Sequence, residues 1–177
     1  MQTAHVILVN QQDEITGTME KMEAHRKGLL HRAFSIIIFN HRGEMLLQQR
    51  AATKYHSGNL WTNACCSHPM PGEDVLDAAY RRLQEEMGFV TMLEPAFHFT
   101  YRAALDNGLT EHEYDHVLIG YYDGPINPNA AEVKDYCFMK MESLNNQLMD
   151  YPDKYTTWFQ IAFPQLEYYL QQKKMAV

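Results

Sequence analysis

A predicted hairpin of two strands in the first third of the chain indicates a fold that is built around a β-sheet. The segments AFSIIIFN, residues 33–40, and EMLLQQR, residues 44–50, are strongly apolar, and the turn HRG separates them. Because a hairpin this hydrophobic must be covered, we expect a larger sheet around it. An edge strand is expected at 5–9, followed by the polar turn NQQDEITGT. Further strands are expected at 61–66, 97–105, 110–123 and 133–141. Of these, 97–105 and 110–123 are expected to pair as a second hairpin around DNG.

Helical patterns are fewer than strand patterns. Asp74 is placed to cap a helix that runs to Met87 and stops at Gly88, with apolar residues on one side. Two more helices are expected at 142–150 and 153–173, where Pro152 and Pro164 mark breaks. Strands interleaved with few helices predict an α/β (α+β) fold, with a mixed sheet covered by helices on both faces. No linker or repeat divides the chain, so residues 1–177 are expected to form a single domain.

The overall charge excludes some classes of function. The formal net charge of −7 argues against a surface for nucleic acid or anionic membrane. A small anionic substrate stays possible, but it would require a locally basic pocket. No segment approaches the ~20 apolar residues of a membrane helix. The apolar run HVILV is too short for a signal peptide, so we expect a cytoplasmic protein with free thiols at Cys65, Cys66 and Cys137.

The triplet EHE places two carboxylates two residues apart on a predicted strand. Alternation puts Glu111 and Glu113 on one face, with Cα atoms ~6.6 Å apart, and His112 on the other, while Asp115 continues the carboxylate row. Two such carboxylates can converge on one cation. A solvated acidic strand face is the alternative interpretation.

Histidines supply a second set of candidate metal ligands. His25 and His31 bracket HRKGLLH before a strand, and His68 follows the two adjacent cysteines. Three imidazoles with two carboxylates would suit Mg²⁺, Mn²⁺ or Zn²⁺. Spacing alone does not bring the three histidines together, and each taken singly could be a surface or core residue.

The pair of cysteines in WTNACCSHP divides between two faces of the strand. If the alternation persists to residue 68, Cys66 and His68 share a face and Cys65 points into the core. A thiol beside a metal site can donate or accept a proton, and Glu113 is a candidate for the second group. One donor and one acceptor across a substrate would catalyse proton addition and removal.

Residues 67–89, SHPMPGEDVLDAAYRRLQEEMGF, resemble the Nudix box, with the pattern Gly-x5-Glu-x7-Arg-Glu-apolar-x-Glu-Glu-x-Gly-apolar. Ser67 replaces the first glycine and Arg82 replaces the glutamate that follows the arginine. The box glutamates hold divalent metal for pyrophosphate hydrolysis in that superfamily, so the loss of one puts hydrolysis in doubt. Glu85 and Glu86 remain, which is consistent with some metal binding.

With WTNACCSHP and TEHEYD added, the chain resembles the type I isopentenyl-diphosphate isomerases from about residue 3 to about residue 173. The resemblance implies a Nudix α/β/α sandwich with added N- and C-terminal elements. It also implies a reaction that moves the double bond of isopentenyl diphosphate to give dimethylallyl diphosphate, a step of isoprenoid biosynthesis.

The same resemblance assigns roles to individual positions. Cys66 and Glu113 would be the catalytic pair, with Tyr101 hydrogen-bonded near them. A divalent metal, Mg²⁺, Mn²⁺ or Zn²⁺, would be held by His25, His31, His68, Glu111 and Glu113, and a second Mg²⁺ bridging the diphosphate would lie near Glu86. The substrate would be bound by Lys21, Arg50, Lys54, Arg82 and Trp158.

These residue types suit the implied chemistry. Protonation of an alkene gives a tertiary carbocation, which requires exclusion of water and which an indole face can stabilise. Four cationic side chains would create the local basic field that a diphosphate needs in an acidic protein. Two other functions stay open: a Nudix pyrophosphohydrolase, and a metal- or thiol-binding domain without catalysis. We expect a small prenyl diphosphate as the partner and a monomeric protein.

Overall fold

The computed structural model describes residues 4–54, 56–105 and 108–175. Within these residues, nine strands join in one sheet and four helices pack around it. The strands are β1 (His5–Val9), β2 (Ile15–Glu20), β3 (His31–Phe39), β4 (Glu44–Arg50), β5 (Trp61–Asn63), β6 (Cys65–Ser67), β7 (Leu93–Ala104), β8 (Thr110–Tyr121) and β9 (Val133–Lys140). The helices are α1 (Lys21–Lys27), α2 (Val75–Met87), α3 (Met141–Asp150) and α4 (Thr157–Met175), with a 3-10 turn at Pro152–Lys154.

The sheet is mixed, as predicted, and β3 is its central strand. β3 pairs antiparallel with β1, β4 and β6, and parallel with β8. β7 lies antiparallel to β8, and β9 lies antiparallel to β4. Both predicted hairpins are therefore present, although residues 106 and 107 of the DNG turn lie outside the described residues.

Alternation along β3 sends side chains into two hydrophobic cores, one on each face of the sheet. Ile36 and Ile38 pack with Leu83 and Met87 of α2 in one core. Ile37 and Phe39 pack with α3 and α4 in the other, whose helical residues include Leu144, Phe159 and Phe163. Because helices cover both faces, the predicted α/β/α sandwich is confirmed.

The predicted signals of α2 are confirmed at both ends. The Asp74 carboxylate accepts a hydrogen bond of 2.8 Å from the backbone N–H of Leu76, which satisfies one free donor of the first turn. Gly88 closes the helix in the left-handed conformation, with φ of 75°.

The N-terminal segment differs from the prediction in three ways. β1 is not at the edge, because it lies between β2 and β3. Residues 15–18, predicted as part of a polar turn, belong to the edge strand β2. Helix α1 was not predicted; the Glu20 carboxylate caps it, and Gly28 ends it with φ of 60°.

Two further predictions were wrong in detail. The strand predicted at 61–66 is two short strands, because β5 pairs with β4 whereas β6 pairs with β3. The predicted final helix begins at Thr157 and continues through Pro164 without a break. Phe163 and Leu166, on either side of that proline, are buried against the sheet, and this packing outweighs the lost backbone hydrogen bond. Among the described residues, no helix has the length and apolar character that a bilayer crossing needs.

Candidate active site

A polar cavity opens where β6, β8, α2 and the start of α4 meet. Eleven of the side chains predicted from the sequence line it, nine of which are Lys21, Arg50, Lys54, Cys66, Arg82, Glu86, Tyr101, Glu113 and Trp158. Glu111 and His68 also line it, while His25 and His31 lie fully buried behind it. The structure therefore brings the whole predicted set to one place, from positions that span most of the chain.

Five side chains form a compact group at the inner end of the cavity. One ligand atom from each lies within 4.8 Å of the others in the group His25, His31, His68, Glu111 and Glu113. Their burial and their nitrogen and oxygen donors match what divalent metals bind.

Hydrogen bonds behind the group orient two of its imidazoles. Nδ1 of His25 donates to the Lys21 carbonyl at 2.7 Å, and Nδ1 of His31 donates to the Leu29 carbonyl at 2.8 Å. In the neutral form of each ring, Nε2 is then the unprotonated acceptor and faces the centre of the group.

Two atoms of the group are left without hydrogen bonds. Nε2 of His25 and Oε2 of Glu111 are buried and lie 3.1 Å apart, and neither has a hydrogen-bond partner. Nε2 of His31 lies 3.2 Å from Nε2 of His68, which in turn lies 2.8 Å from Oε1 of Glu113. A cation at the centre would satisfy all of these atoms, so the residues fit a metal ion.

The strand pairing of β8 explains the positions of the two glutamates. Glu111 and Glu113 are buried on the cavity face, whereas His112, on the opposite face, donates a hydrogen bond to the Gly28 carbonyl at 2.9 Å. His31 is the direct neighbour of Glu113 in the parallel ladder, and Tyr101 is its neighbour in the antiparallel one. The predicted alternation of the EHE triplet is thus confirmed, and a solvated acidic face is excluded.

Charge and hydrogen bonding set the protonation of the residues around Glu113. Burial alone would raise the pKa of Glu113, but the hydrogen bond and charge of His31 outweigh burial and lower it. Burial and the Glu113 charge raise the pKa of Tyr101 well above its usual range, so this phenol keeps its proton. Burial lowers the pKa of His68 well below its usual range, which keeps the imidazole neutral.

Cys66 and Cys65 separate as predicted. Cys65 is fully buried in the core below α2, while Cys66 lines the cavity. Burial and the charge of Asp115 raise the pKa of Cys66 to about 12, so its thiol carries a proton at neutral pH. Cys137, which was predicted in the core, is half-buried on β9 against the α4 core.

The cavity also holds the four predicted cationic side chains. Arg82 donates to Glu85 at 2.5 Å and to Glu86 at 2.6 Å, and Lys54 forms an ion pair with Glu132. The guanidinium of Arg50 lies 5.1 Å from the ring centre of Trp158. Nε of Arg50 and Nε of Arg82 are buried and have no hydrogen-bond partner.

The sequence interpretation did not assign a role to His56, which lines the cavity, or to Asp115, which is buried on β8. His56 is buried with Nε2 3.5 Å from Glu111, and burial with the charge of Arg50 lowers its pKa to about 3. No spacing pattern distinguishes it from the other histidines. Asp115, noted only as a continuation of the carboxylate row, is buried and accepts a hydrogen bond of 2.7 Å from Ser35.

Comparison with known proteins decides the family. A protein of Pectobacterium atrosepticum named isopentenyl-diphosphate Delta-isomerase is 50% identical over 171 residues, covering 97% of this chain and 96% of its own. The chain belongs to the isopentenyl-diphosphate Delta-isomerase family. A second member of this family, from Photorhabdus laumondii, is 48% identical and covers 92% of each chain. Residues 29–159 match the NUDIX domain, which places this isomerase family within the Nudix superfamily.

Solved structures confirm the fold of this isomerase-family chain. A Deinococcus radiodurans protein superposes with a TM-score of 0.78 at 16% identity, covering 91% of this chain and 98% of its own. A MutT protein from Methanosarcina mazei gives a TM-score of 0.66 at 17% identity, covering 82% and 96%. At these identities the likeness concerns the Nudix fold alone.

Proposed function

We propose that the protein converts isopentenyl diphosphate into dimethylallyl diphosphate by adding a proton to the alkene and removing another from the neighbouring carbon. The observation that carries this proposal is a single cavity lined by a protonated thiol, a buried carboxylate, an indole and four cationic side chains. The names of the relatives support the same reaction and substrate.

Cys66 and Glu113 are the proposed catalytic pair. A proton leaves one of these groups and bonds to the terminal alkene carbon, which leaves a tertiary cation on the substrate. The other group accepts a proton from the carbon on the far side of that cation, and the double bond forms there. Tyr101, which donates to Glu113 at 2.6 Å, holds the carboxylate in place.

Trp158 and the cationic residues have binding roles in this proposal. The indole face stabilises the cation, an effect worth about 2 kcal/mol or more in a dry pocket. Lys21, Arg50, Lys54 and Arg82 bind the diphosphate, and their common position in the lining of the cavity supports that role.

We also propose that the activity depends on divalent metal. The group His25, His31, His68, Glu111 and Glu113 would hold one ion, Mg²⁺, Mn²⁺ or Zn²⁺, and Glu86 would help to hold a Mg²⁺ for the diphosphate. When bound, these ions supply fixed positive charge beside Glu113 and the phosphates. The protein is proposed to act as a monomer in the cytoplasm, where its three free thiols stay reduced.

Proton NMR in D₂O tests the reaction directly. Isopentenyl diphosphate incubated with the protein and Mg²⁺ should give deuterated dimethylallyl diphosphate. Cys66→Ala should abolish this product, whereas Cys137→Ala, which removes the half-buried thiol of β9, should retain it. Release of phosphate would instead identify a Nudix hydrolase, and unchanged substrate in the presence of bound metal would identify a binding domain.

A further inference from the structure

A continuous chain of hydrogen bonds links the indole of Trp158 to the thiol of Cys66 inside the protein. Nε1 of Trp158 donates to Oγ1 of Thr62 at 3.1 Å, and Oγ1 of Thr62 donates to Oδ1 of Asn63 at 3.0 Å. Sγ of Cys66 donates to the same Oδ1 at 3.0 Å. Thr62 and Asn63 are each only 1% exposed, so water does not compete for these contacts.

The directions of these hydrogen bonds are fixed by Asn63. Its Nδ2 donates to the carbonyl oxygens of Ile36 at 3.1 Å and Cys65 at 3.0 Å, which uses both amide hydrogens. Its Oδ1 is therefore an acceptor with two positions, one for the Thr62 hydroxyl and one for the Cys66 thiol. A flipped amide would place Oδ1 against these two carbonyl oxygens and lose both hydrogen bonds.

Thr62 is saturated in the same way. Its one hydroxyl hydrogen goes to Asn63, and its oxygen accepts from Trp158 and, at 3.1 Å, from the hydroxyl of Thr156. A hydroxyl offers one donor and two acceptor positions, so no alternative partner is left for it. The hydroxyl of Thr62 is therefore fixed in one arrangement. The thiol of Cys66 also lies 3.5 Å from Oγ of Ser35, but its contact with Asn63 is the shorter one at 3.0 Å.

We propose that Thr62 and Asn63 are positioning residues for the isomerisation, because they hold the Trp158 indole and the Cys66 thiol in one fixed geometry against the substrate. This inference rests on the proposed function. Proton donation and cation stabilisation act on the same few carbon atoms, and a displacement of ~1 Å in either group can cost ~100-fold in rate. Neither residue lines the cavity, so each acts through the side chain that it holds.

Kinetics of three threonine variants test the role. Thr62→Val removes the central hydroxyl with little change of shape and should lower kcat about tenfold or more, with KM changed less than about threefold. Thr62→Ser keeps a hydroxyl and should restore most of kcat. Thr156→Val is the matched control, because it removes one hydrogen bond to the same buried oxygen without cutting the path between Trp158 and Cys66. Equal losses of kcat in Thr62→Val and Thr156→Val, corrected for folded protein, would overturn the proposal.

NMR of the indole N–H tests the bridge without substrate. The chain has two tryptophans, and Trp158→Phe identifies the signal of Trp158. Cys66→Ala should shift the Trp158 signal, and Thr62→Val should speed its hydrogen exchange about tenfold, since one hydrogen bond is lost. A Trp158 signal unmoved by Cys66→Ala would disprove the bridge. If the wild-type protein does not turn over isopentenyl diphosphate, the proposed function fails, and this NMR result still decides whether the bridge exists.

Discussion

The phenol of Tyr101 donates a 2.6 Å hydrogen bond to Oε2 of Glu113, and the two residues are direct partners in the ladder of β7 and β8. The other oxygen of this carboxylate lies 2.8 Å from Nε2 of His68. The buried carboxylate of Glu113 is therefore held at one oxygen by the phenol and at the other by His68, another member of the candidate metal group. Its position is set by the sheet and not by a mobile loop.

Tyr101→Phe tests this arrangement. A hydrogen bond to a buried carboxylate contributes about 1.5–3 kcal/mol, so we expect kcat to fall roughly 10- to 100-fold while KM changes little. Steady-state kinetics measure both constants. Tyr114→Phe is the control, because Tyr114 packs with Ile7 and Val9 instead of facing the cavity. Equal kcat values for Tyr101→Phe and the wild type would refute the positioning of Glu113 by the phenol.

Neighbouring arginines allow a matched test of diphosphate binding. Arg82 lines the cavity, whereas Arg81 is held by two hydrogen bonds of 2.7 Å to Glu73. Arg82→Gln should raise KM about 10- to 100-fold, since a charge-assisted contact to phosphate is lost. Arg81→Gln should leave KM near the wild-type value and lower thermal stability only. A KM that rises equally in both variants would contradict a direct role of Arg82.

Metal removal should destabilise the protein. An ion bound at a thousand times its dissociation constant contributes about 4 kcal/mol, or roughly 8–16 °C in Tm for a chain of this size. We expect EDTA to lower Tm by that order and His25→Ala to abolish the difference. His112→Ala should keep it, because His112 faces Gly28 on the opposite side of β8. Calorimetry with and without EDTA gives the answer, and a Tm insensitive to chelation would exclude a tightly bound structural ion.

Alkylation should report the raised pKa of Cys66. Burial raises that pKa to about 12, so at about pH 8 the thiolate fraction is far below that of an ordinary thiol. Iodoacetamide should then react with Cys66 more than about 100-fold slower than with free cysteine. The rate should rise with pH up to about pH 10 without levelling off. Mass spectrometry locates the adduct, and a plateau below about pH 9 would mean a thiol of ordinary acidity.

Alanine substitutions at two glycines of similar backbone conformation distinguish the cost of backbone strain from the cost of a steric clash. Gly88 and Gly43 have φ of 75° and 72°, but a Cβ at Gly88 would lie 2.1 Å from the Asn127 carbonyl oxygen, and one at Gly43 would meet nothing within 4 Å. We expect Gly43→Ala to lower the free energy of unfolding by about 1 kcal/mol and Gly88→Ala by more than about 3 kcal/mol. Urea unfolding measures both, and similar losses would show that the loop at Asn127 moves away freely.

The sequence predicted correctly those elements whose signals lie in consecutive residues. Examples are the hairpin of β3 and β4 and the capped helix α2, because a turn, a helix cap and an apolar periodicity can each be recognised from neighbouring residues. β2 was missed because most of its side chains are exposed or half-buried, so its sequence shows no apolar alternation. Its extended conformation depends on its pairing with β1. The continuation of α4 through Pro164 depends on burial of Phe163 and Leu166, which no local signal contains.

The candidate site was predictable to different degrees. Alternation alone placed Glu111 with Glu113 and separated Cys65 from Cys66. The convergence of His25, His31 and His68 followed only from resemblance to the family, because they come from a helix, the first residue of β3 and the residue after β6. Thr62 and Asn63 lie within the recognised WTNACCSHP segment, but their hydrogen bonds depend on Trp158, which is distant in the chain.

The parallel pairing of β3 with β8 has a consequence for how the chain reaches its native state. His31 and Glu113 become neighbours only after a loop containing half of the protein has closed, and such non-local pairing is slow. Until that moment the five side chains of the candidate metal group are not all in one place. An ion held by the candidate metal group would bind the finished ladder and slow unfolding, which would make ion binding a marker of completed folding.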